Sequence, residues 1–321
     1  MKINEKERVV AQIANPYFDY SLGSIDSVKN LPIEFIDSNK ISLLLKEKGI
    51  ETEKAQEAME HRRCLISELC ELNYDFEISG IDFVLIKFSK LPKPPGDLDI
   101  LIINGLEEAE NVLKNKGYVY RLKDADPDRK TYYKTINGKS VAVDLHLDTT
   151  WAGIKYLKKE DVWEHKGERK INGMSIPVPC PEHELLIAAA HGMRENRITL
   201  FDVLHIANIF RENEINMKFV MAVAKEYNWL NQINYFISLT DEIYRALYGS
   251  PITKNPILNL KFSNLKRLEL KLPFSFPFHI SFKLKLQKII SDLIHFGVGS
   301  AVHDLRSYYL DIPEFLRGVR R

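Results

Sequence analysis

Two short segments alternate apolar and polar residues with a period of two, and each carries carboxylates on its polar side. In Asp97 to Ile103, read as a strand, Leu98, Ile100 and Ile102 share one face, and Asp97 and Asp99 share the other. Val141 to Asp148 repeats the arrangement, with Val141, Val143, Leu145 and Leu147 on one side and Asp144, His146 and Asp148 on the other. An apolar run from Val84 ends in Lys87 ahead of the first segment, and the Phe88-Ser89 and Pro/Gly connection that follows is too short for a long helix. Around these runs the period lengthens. A helix is predicted from Ile41 to Lys48, and a longer one from Glu51, where Ala58, Leu65, Leu69 and Leu72 form an apolar stripe before Gly80. Leu106, Ala109, Val112 and Leu113 predict another, stopped by Gly117. Tyr118 to Leu122 and Thr131 to Ile136 read as strands about an acidic turn, and Asn137-Gly138 signals a hairpin into the Asp144 strand.

Beyond Trp151 a short linking region gives way to helices. Pro181 starts one, Thr199-x-x-Asp202 resembles a capping box for the next, Asn216 caps a third, and a fourth runs from about Leu230 to Tyr248. Residues 251–282 read as irregular, followed by a final helix from about Ser281 to Phe296. The pattern predicts an α/β (α+β) fold: a mixed-sheet core over residues 79–178, a mostly helical N-terminal segment over 1–78, and a helical C-terminal half over 179–321.

Composition narrows the function classes. With 321 residues and 45% hydrophobic composition the chain can bury a substantial core, which excludes disorder. A net charge of +1 supplies no global attraction to nucleic acid or membrane. The charge is uneven, however, since residues 251–321 hold twelve Lys or Arg against five Asp or Glu, a net +7, among Phe274, Phe276, Phe278 and Phe282. Such a mixture serves single-strand binders, but aromatics buried in loops are commoner, so nucleic acid is the less favoured partner. Cys64, Cys70 and Cys180 form no C-x-x-C pair and read as reduced. No apolar run approaches the ~20 residues of a membrane span, and the expected location is cytoplasmic, with no membrane partner.

The carboxylates carry the chemistry. Two on one buried face raise each other's pKa unless a cation lies between them, and loss of one is expected to relieve repulsion. Asp97, Asp99 and Asp144 from neighbouring strands offer the hard oxygen ligands that suit Mg²⁺, or Mn²⁺ in its place, at a two-metal phosphoryl-transfer centre. Lys87 is either a residue snorkelling at the sheet edge or a point cation for phosphate. Ser89 is a turn hydroxyl with a weaker claim on phosphate. His146, on the Asp144 face, orients a metal ligand, contacts the acceptor, or is a satisfied structural histidine. His191, Arg194 and Arg197 could face a triphosphate, although a solvated helix end explains them more cheaply. The Thr199 cap similarly accounts for Asp202 without a metal, and His205 is set aside with it.

Lys87, the Asp97/Asp99 pair, and Asp144 with His146, in this order, resemble the nucleotidyltransferase superfamily that includes DNA polymerase beta. More narrowly, the order resembles an uncharacterised bacterial and archaeal branch of it. The resemblance spans Ile81 to Trp151, and more loosely Pro179 to Phe210. It implies an enzyme that takes an NTP such as ATP, with Asp97 and Asp99 holding two Mg²⁺ ions on its phosphates. Asp144 would bind the catalytic metal and help deprotonate an acceptor hydroxyl, and Lys87, Ser89 and His146 would lie at the nucleotide. The acceptor is unknown: a small molecule, a protein side chain or an RNA end. One departure is that Phe88-Ser89 stands where the superfamily usually has Gly-Ser or Gly-Gly. It leaves open a catalytically inactive nucleotide- or protein-binding relative, beside a toxin-type enzyme acting on tRNA.

The basic C-terminal segment yields a direct test. Lys283, Lys285 and Lys288 are expected on a solvated helix face whose apolar side includes Ile290 and Leu293, so their joint reversal to Glu should leave RNA affinity weak and unchanged. A salt titration with single-stranded RNA checks this, since each neutralised phosphate would add about −0.7 to the log-log slope.

Overall fold

The computed structural model describes residues 5–17, 33–94, 96–121, 128–151, 154–252 and 272–275, together with 290 and 293. Four helices come first: α1 (Glu5–Ala14), α2 (Ile33–Ser38), α3 (Ser42–Glu47) and α4 (Glu53–Ile78). The core follows as β1 (Phe83–Ile86), β2 (Leu98–Ile102), α5 (Leu106–Asn115), β3 (Val119–Tyr120), β4 (Arg129–Ile136) and β5 (Lys139–His146). Next come β6 (Thr150–Trp151), β7 (Ile154–Lys155), α6 (Lys159–Glu164), β8 (Gly167–Ile171) and β9 (Met174–Val178). The described part closes with α7 (Pro181–Glu195), β10 (Arg197–Ile198), α8 (Leu200–Glu212), α9 (Met217–Glu226), α10 (Leu230–Tyr248) and β11 (Phe274–Ser275). Among the described residues no helix is long and apolar enough to cross a membrane.

The expected mixed sheet is present, in the order β1-β2-β5-β4-β3, with β2 and β5 parallel and the other neighbours antiparallel. Its two faces go to different cores, as the alternation requires. Leu98, Ile100 and Ile102 of β2 join Val141, Val143 and Leu145 of β5 in a cluster with Leu65, Leu69, Leu72 and Phe76 of α4. Val84, Ile86 and Leu101 point the other way, into a cluster with α7, α8 and α10. The polar side of β2 and β5 therefore looks toward the helical half.

Local signals explain the boundaries. Thr52 caps α4 by accepting from the Ala55 amide, and Gly117 ends α5 with φ +82°. Asn137 and Gly138 both take positive φ, as a two-residue hairpin turn demands. The region after Trp151 is more ordered than expected. It holds the β8–β9 hairpin, turned by Asn172 and Gly173, again both at positive φ, and β9 lies against β1. The final helix predicted near Ser281 to Phe296 lies outside the described residues except at Ile290 and Leu293, which are helical but exposed. Most of the region read as irregular also lies outside them, apart from β11, which pairs with β10.

Gly192 lets α7 approach α10 closely. A Cβ there would stand 2.5 Å from Phe236 Cε2, inside any tolerable contact. Gly192→Ala should cost about 1–3 kcal/mol of unfolding free energy, the usual cost of overpacking, and adding Phe236→Leu should recover part of it. Urea unfolding midpoints at constant m-value measure both.

Candidate functional site

The parallel register of β2 and β5 sets Asp99 directly opposite Asp144, with His146 two residues further along β5. One ligand atom from each of Asp99, Asp144 and His146 lies within 4.8 Å of the others. Asp99 Oδ1 accepts two hydrogen bonds, from Lys87 Nζ at 2.6 Å and from His146 Nε2 at 2.8 Å. Arg129, at the start of β4, donates Nη1–H to Asp144 Oδ2 at 3.1 Å. The other oxygen, Asp144 Oδ1, is sealed from solvent and has no hydrogen-bond partner. Lys87 reaches Asp99 because it leaves β1 in the left-handed region, with φ +59°, a conformation that non-glycine residues seldom keep without external support.

These contacts set the charge states. Burial pushes the Asp99 carboxyl up, but the Lys87 ammonium and the His146 hydrogen bond outweigh it and hold it well below the usual carboxylate range. Burial and the nearby Lys87 charge push His146 down against the pull of Asp99, so its ring is neutral near pH 7. A carboxylate can only accept, which places the His146 proton on Nε2.

The repulsion expected between the carboxylates is thus already compensated, by Lys87 from the end of β1 and by Arg129 from β4. Loss of one carboxylate would orphan a buried cation instead of relieving strain, so the expected gain from its removal does not apply. Arg129 escaped the sequence reading. Its signal was its position two residues before Thr131 on the face that Asp144 and His146 share across the β4–β5 ladder.

The remaining expected residues are distributed as follows. Asp97 is exposed, one residue ahead of β2 and outside the three-residue cluster, because the strand begins at Leu98. Ser89 is buried, accepts from the Leu91 amide at 3.1 Å and meets His205 Nδ1 at 2.9 Å, so its hydroxyl faces the helical half. Phe88 lies under the Arg62 guanidinium, 5.2 Å from its ring centroid, and its carbonyl accepts from Arg169. Asp202 completes the Thr199 capping box as the pattern implied. His191, read as part of a solvated helix end, instead lines a pocket with its Nδ1 sealed and unpartnered.

The three clustered groups fit a divalent cation. The unpartnered Asp144 Oδ1 is a negative acceptor that burial makes costly to leave unused. Two carboxylates suit a hard divalent ion such as Mg²⁺ or Mn²⁺. Asp99, Asp144 and His146 would hold it, while Lys87 and Arg129 would have to yield their carboxylate contacts.

A family model described as uncharacterised nucleotidyltransferase matches residues 50–245, well over half of the chain. A crystal structure of an antigenic nucleotidyltransferase-like protein from Paracoccidioides brasiliensis aligns with 57% of this chain and 91% of that one, at 13% identity and a TM-score of 0.41. No curated protein matches the chain.

Three histidines predict the acid response of the fold. Burial depresses His183 to about 4, His191 to about 3 and His205 to about 4. Unfolded histidines titrate near 6.5, so at pH 5 the unfolded chain binds protons that the folded chain refuses, and stability must fall as pH drops from about 6.5 toward 4. The slope of unfolding free energy against pH near pH 5 should correspond to about three protons from these groups, whereas a flat profile would mean that their rings are hydrated.

Proposed function

The chain belongs to the family of uncharacterised nucleotidyltransferases, and from that premise we propose that it transfers a nucleoside monophosphate from an NTP to a hydroxyl-bearing acceptor. The observation that carries this reading is the Asp99–Asp144 register, with one buried carboxylate oxygen left unpartnered beside a neutral histidine. Divalent metal, when bound, would neutralise phosphate charge and lower the pKa of a bound hydroxyl. The Asp144 carboxylate takes the acceptor proton. The acceptor oxygen forms a bond to the α-phosphorus, the bond from that phosphorus to the bridging oxygen breaks, and pyrophosphate leaves with the electron pair. His146 orients Asp99 through its Nε2–H in the metal-free site, and Lys87 supplies a point cation to phosphate. Asp97, exposed one residue ahead of β2, would be a further carboxylate ligand for metal at the phosphates. A division of the chain after residues 78 and 178 would put this chemistry on the sheet and leave acceptor binding to the helical half.

A binding relative without turnover is the second reading. It is favoured by Phe88, whose ring and carbonyl are held by Arg62 and Arg169 where a glycine would leave backbone open to phosphate. Pyrophosphate release with each NTP and Mg²⁺ or Mn²⁺ separates the two. Asp99→Asn and Asp144→Asn should each lower turnover by at least about a hundredfold, the scale of a lost proton acceptor or metal ligand, while the variants remain folded. Lys87→Ala should weaken NTP binding, and Lys87→Arg should restore it only in part because guanidinium is wide and planar. Absence of pyrophosphate with every NTP and both metals, alongside intact NTP binding, would select the binding relative.

A further inference from the structure

On the helical side of Lys87 lies a pocket whose polar lining is Lys87, Lys93, Glu184, His191, Asp202 and His205, backed by apolar residues that include Ile187 and Phe236. It adjoins the carboxylate centre through one shared residue, since Lys87 both lines the pocket and donates to Asp99. We propose that this pocket binds the distal phosphates of the nucleotide and retains them as the leaving pyrophosphate. The inference rests on the transferase reading above and adds to it a binding site built from α7, α8 and the β1–β2 connection.

The charges in the pocket are unequally engaged. Arg169 holds Glu184 through hydrogen bonds at 3.1 and 3.4 Å. Asp202 spends Oδ2 on the Thr199 amide at 2.8 Å and the Thr199 hydroxyl at 2.6 Å. Lys93 makes no ion pair of this kind, although it is the largest charge favouring ionised Asp202. Its ammonium stands 5.6 Å from the Phe201 ring centroid, and among the described residues no carboxylate is within ion-pair distance of it. Lys40, nearby, is likewise without an ion pair among the described residues, and its ammonium is disfavoured by burial and by Lys93. His191 sits amid these cations: after burial, Lys87 and Lys93 are the largest influences disfavouring its protonation, with Lys40 adding to them and Asp202 opposing. A sealed, unpartnered imidazole nitrogen beside uncommitted ammonium groups lacks one thing, an acceptor with several oxygens and negative charge. Phosphate is that acceptor. Asp202 alone would repel it, which is offset by Lys93 and by the second ammonium that Lys87 contributes once Asp99 releases it.

The shared lysine makes the test specific. Binding of inorganic pyrophosphate to the full chain is measured by calorimetry in EDTA, with thermal melting confirming that each variant is folded. Lys93→Gln, which keeps the aliphatic stem, and His191→Ala should each weaken binding about tenfold, the scale of one charge-assisted hydrogen bond. Asp99→Asn should tighten binding, because Lys87 then lacks its carboxylate partner. A site that gripped phosphate only through metal at Asp99 would respond in the opposite direction. ATP should compete with pyrophosphate. The proposal is overturned if Lys93→Gln and His191→Ala leave affinity unchanged, if Asp99→Asn weakens it, or if ATP fails to compete, which would give the pocket to an anionic group of the acceptor. No metal-free binding at millimolar pyrophosphate, alongside metal-dependent turnover, would also overturn it while leaving the transferase reading intact. The expected variant pattern without any turnover would support the pocket and sink only the transfer.

Discussion

Two carboxylates facing each other across a parallel strand pair is the constraint to which the surrounding structure responds. At about 4 Å an uncompensated pair of like charges costs roughly 4 kcal/mol even at the effective dielectric of a protein surface. The chain meets that cost with one cation from each side of the two strands, Lys87 beyond β2 and Arg129 beyond β5. The left-handed backbone at Lys87 belongs to the same solution, since it turns the ammonium back across the neighbouring strand. The site is therefore complete in charge without metal yet incomplete in hydrogen bonding, with Asp144 Oδ1 as its open valence. Such a centre would exchange internal cations for an external one at little net change in charge.

The connection from β1 to β2 joins the chemistry of the sheet to the helical half. Ser89 meets His205 of α8, and Arg169 of β8 ties the Phe88 carbonyl to Glu184 of α7. A glycine turn would approach phosphate by exposing backbone amides. This one is anchored by side chains, and the groups free to meet an anion, Lys93 and His191, stand on the helical side of it. Where Phe88 stands in place of a glycine turn, the polar side chains open to an anion lie on another layer.

Much of this was legible in the sequence because it is local. Alternation assigned Leu98, Ile100 and Ile102 to one core and set Asp99 and Asp144 apart from them, and Gly117, Asn137-Gly138 and the Thr199–Asp202 box marked ends and turns by their own chemistry. The β8–β9 hairpin has an equally local signal in Asn172-Gly173, masked in the pattern by the stronger helical periodicity that follows it. Other features depend on long-range register and have no local trace. Arg129 lies opposite His146 only once β4 and β5 pair, and Lys93 and His191 meet only when α7 packs over the β1–β2 connection. The placement of Asp97 outside the cluster turned on a single residue at a strand boundary, which periodicity does not resolve.

The β2–β5 pairing also fixes when the centre can exist. β4–β5 and β8–β9 close through two-residue turns, whereas Asp99 and Asp144 are brought together across 45 positions of chain, with α5 and two further strands between them. Closing that separation costs more chain entropy than closing a hairpin, so the contact belongs to the slow, non-local part of assembly. A nascent or partly opened chain can thus carry every hairpin and most helices while its carboxylates are still strangers. Any ligand that needs both carboxylates distinguishes molecules that have closed this strand pair from those that have not, and its binding free energy adds to holding the pair shut.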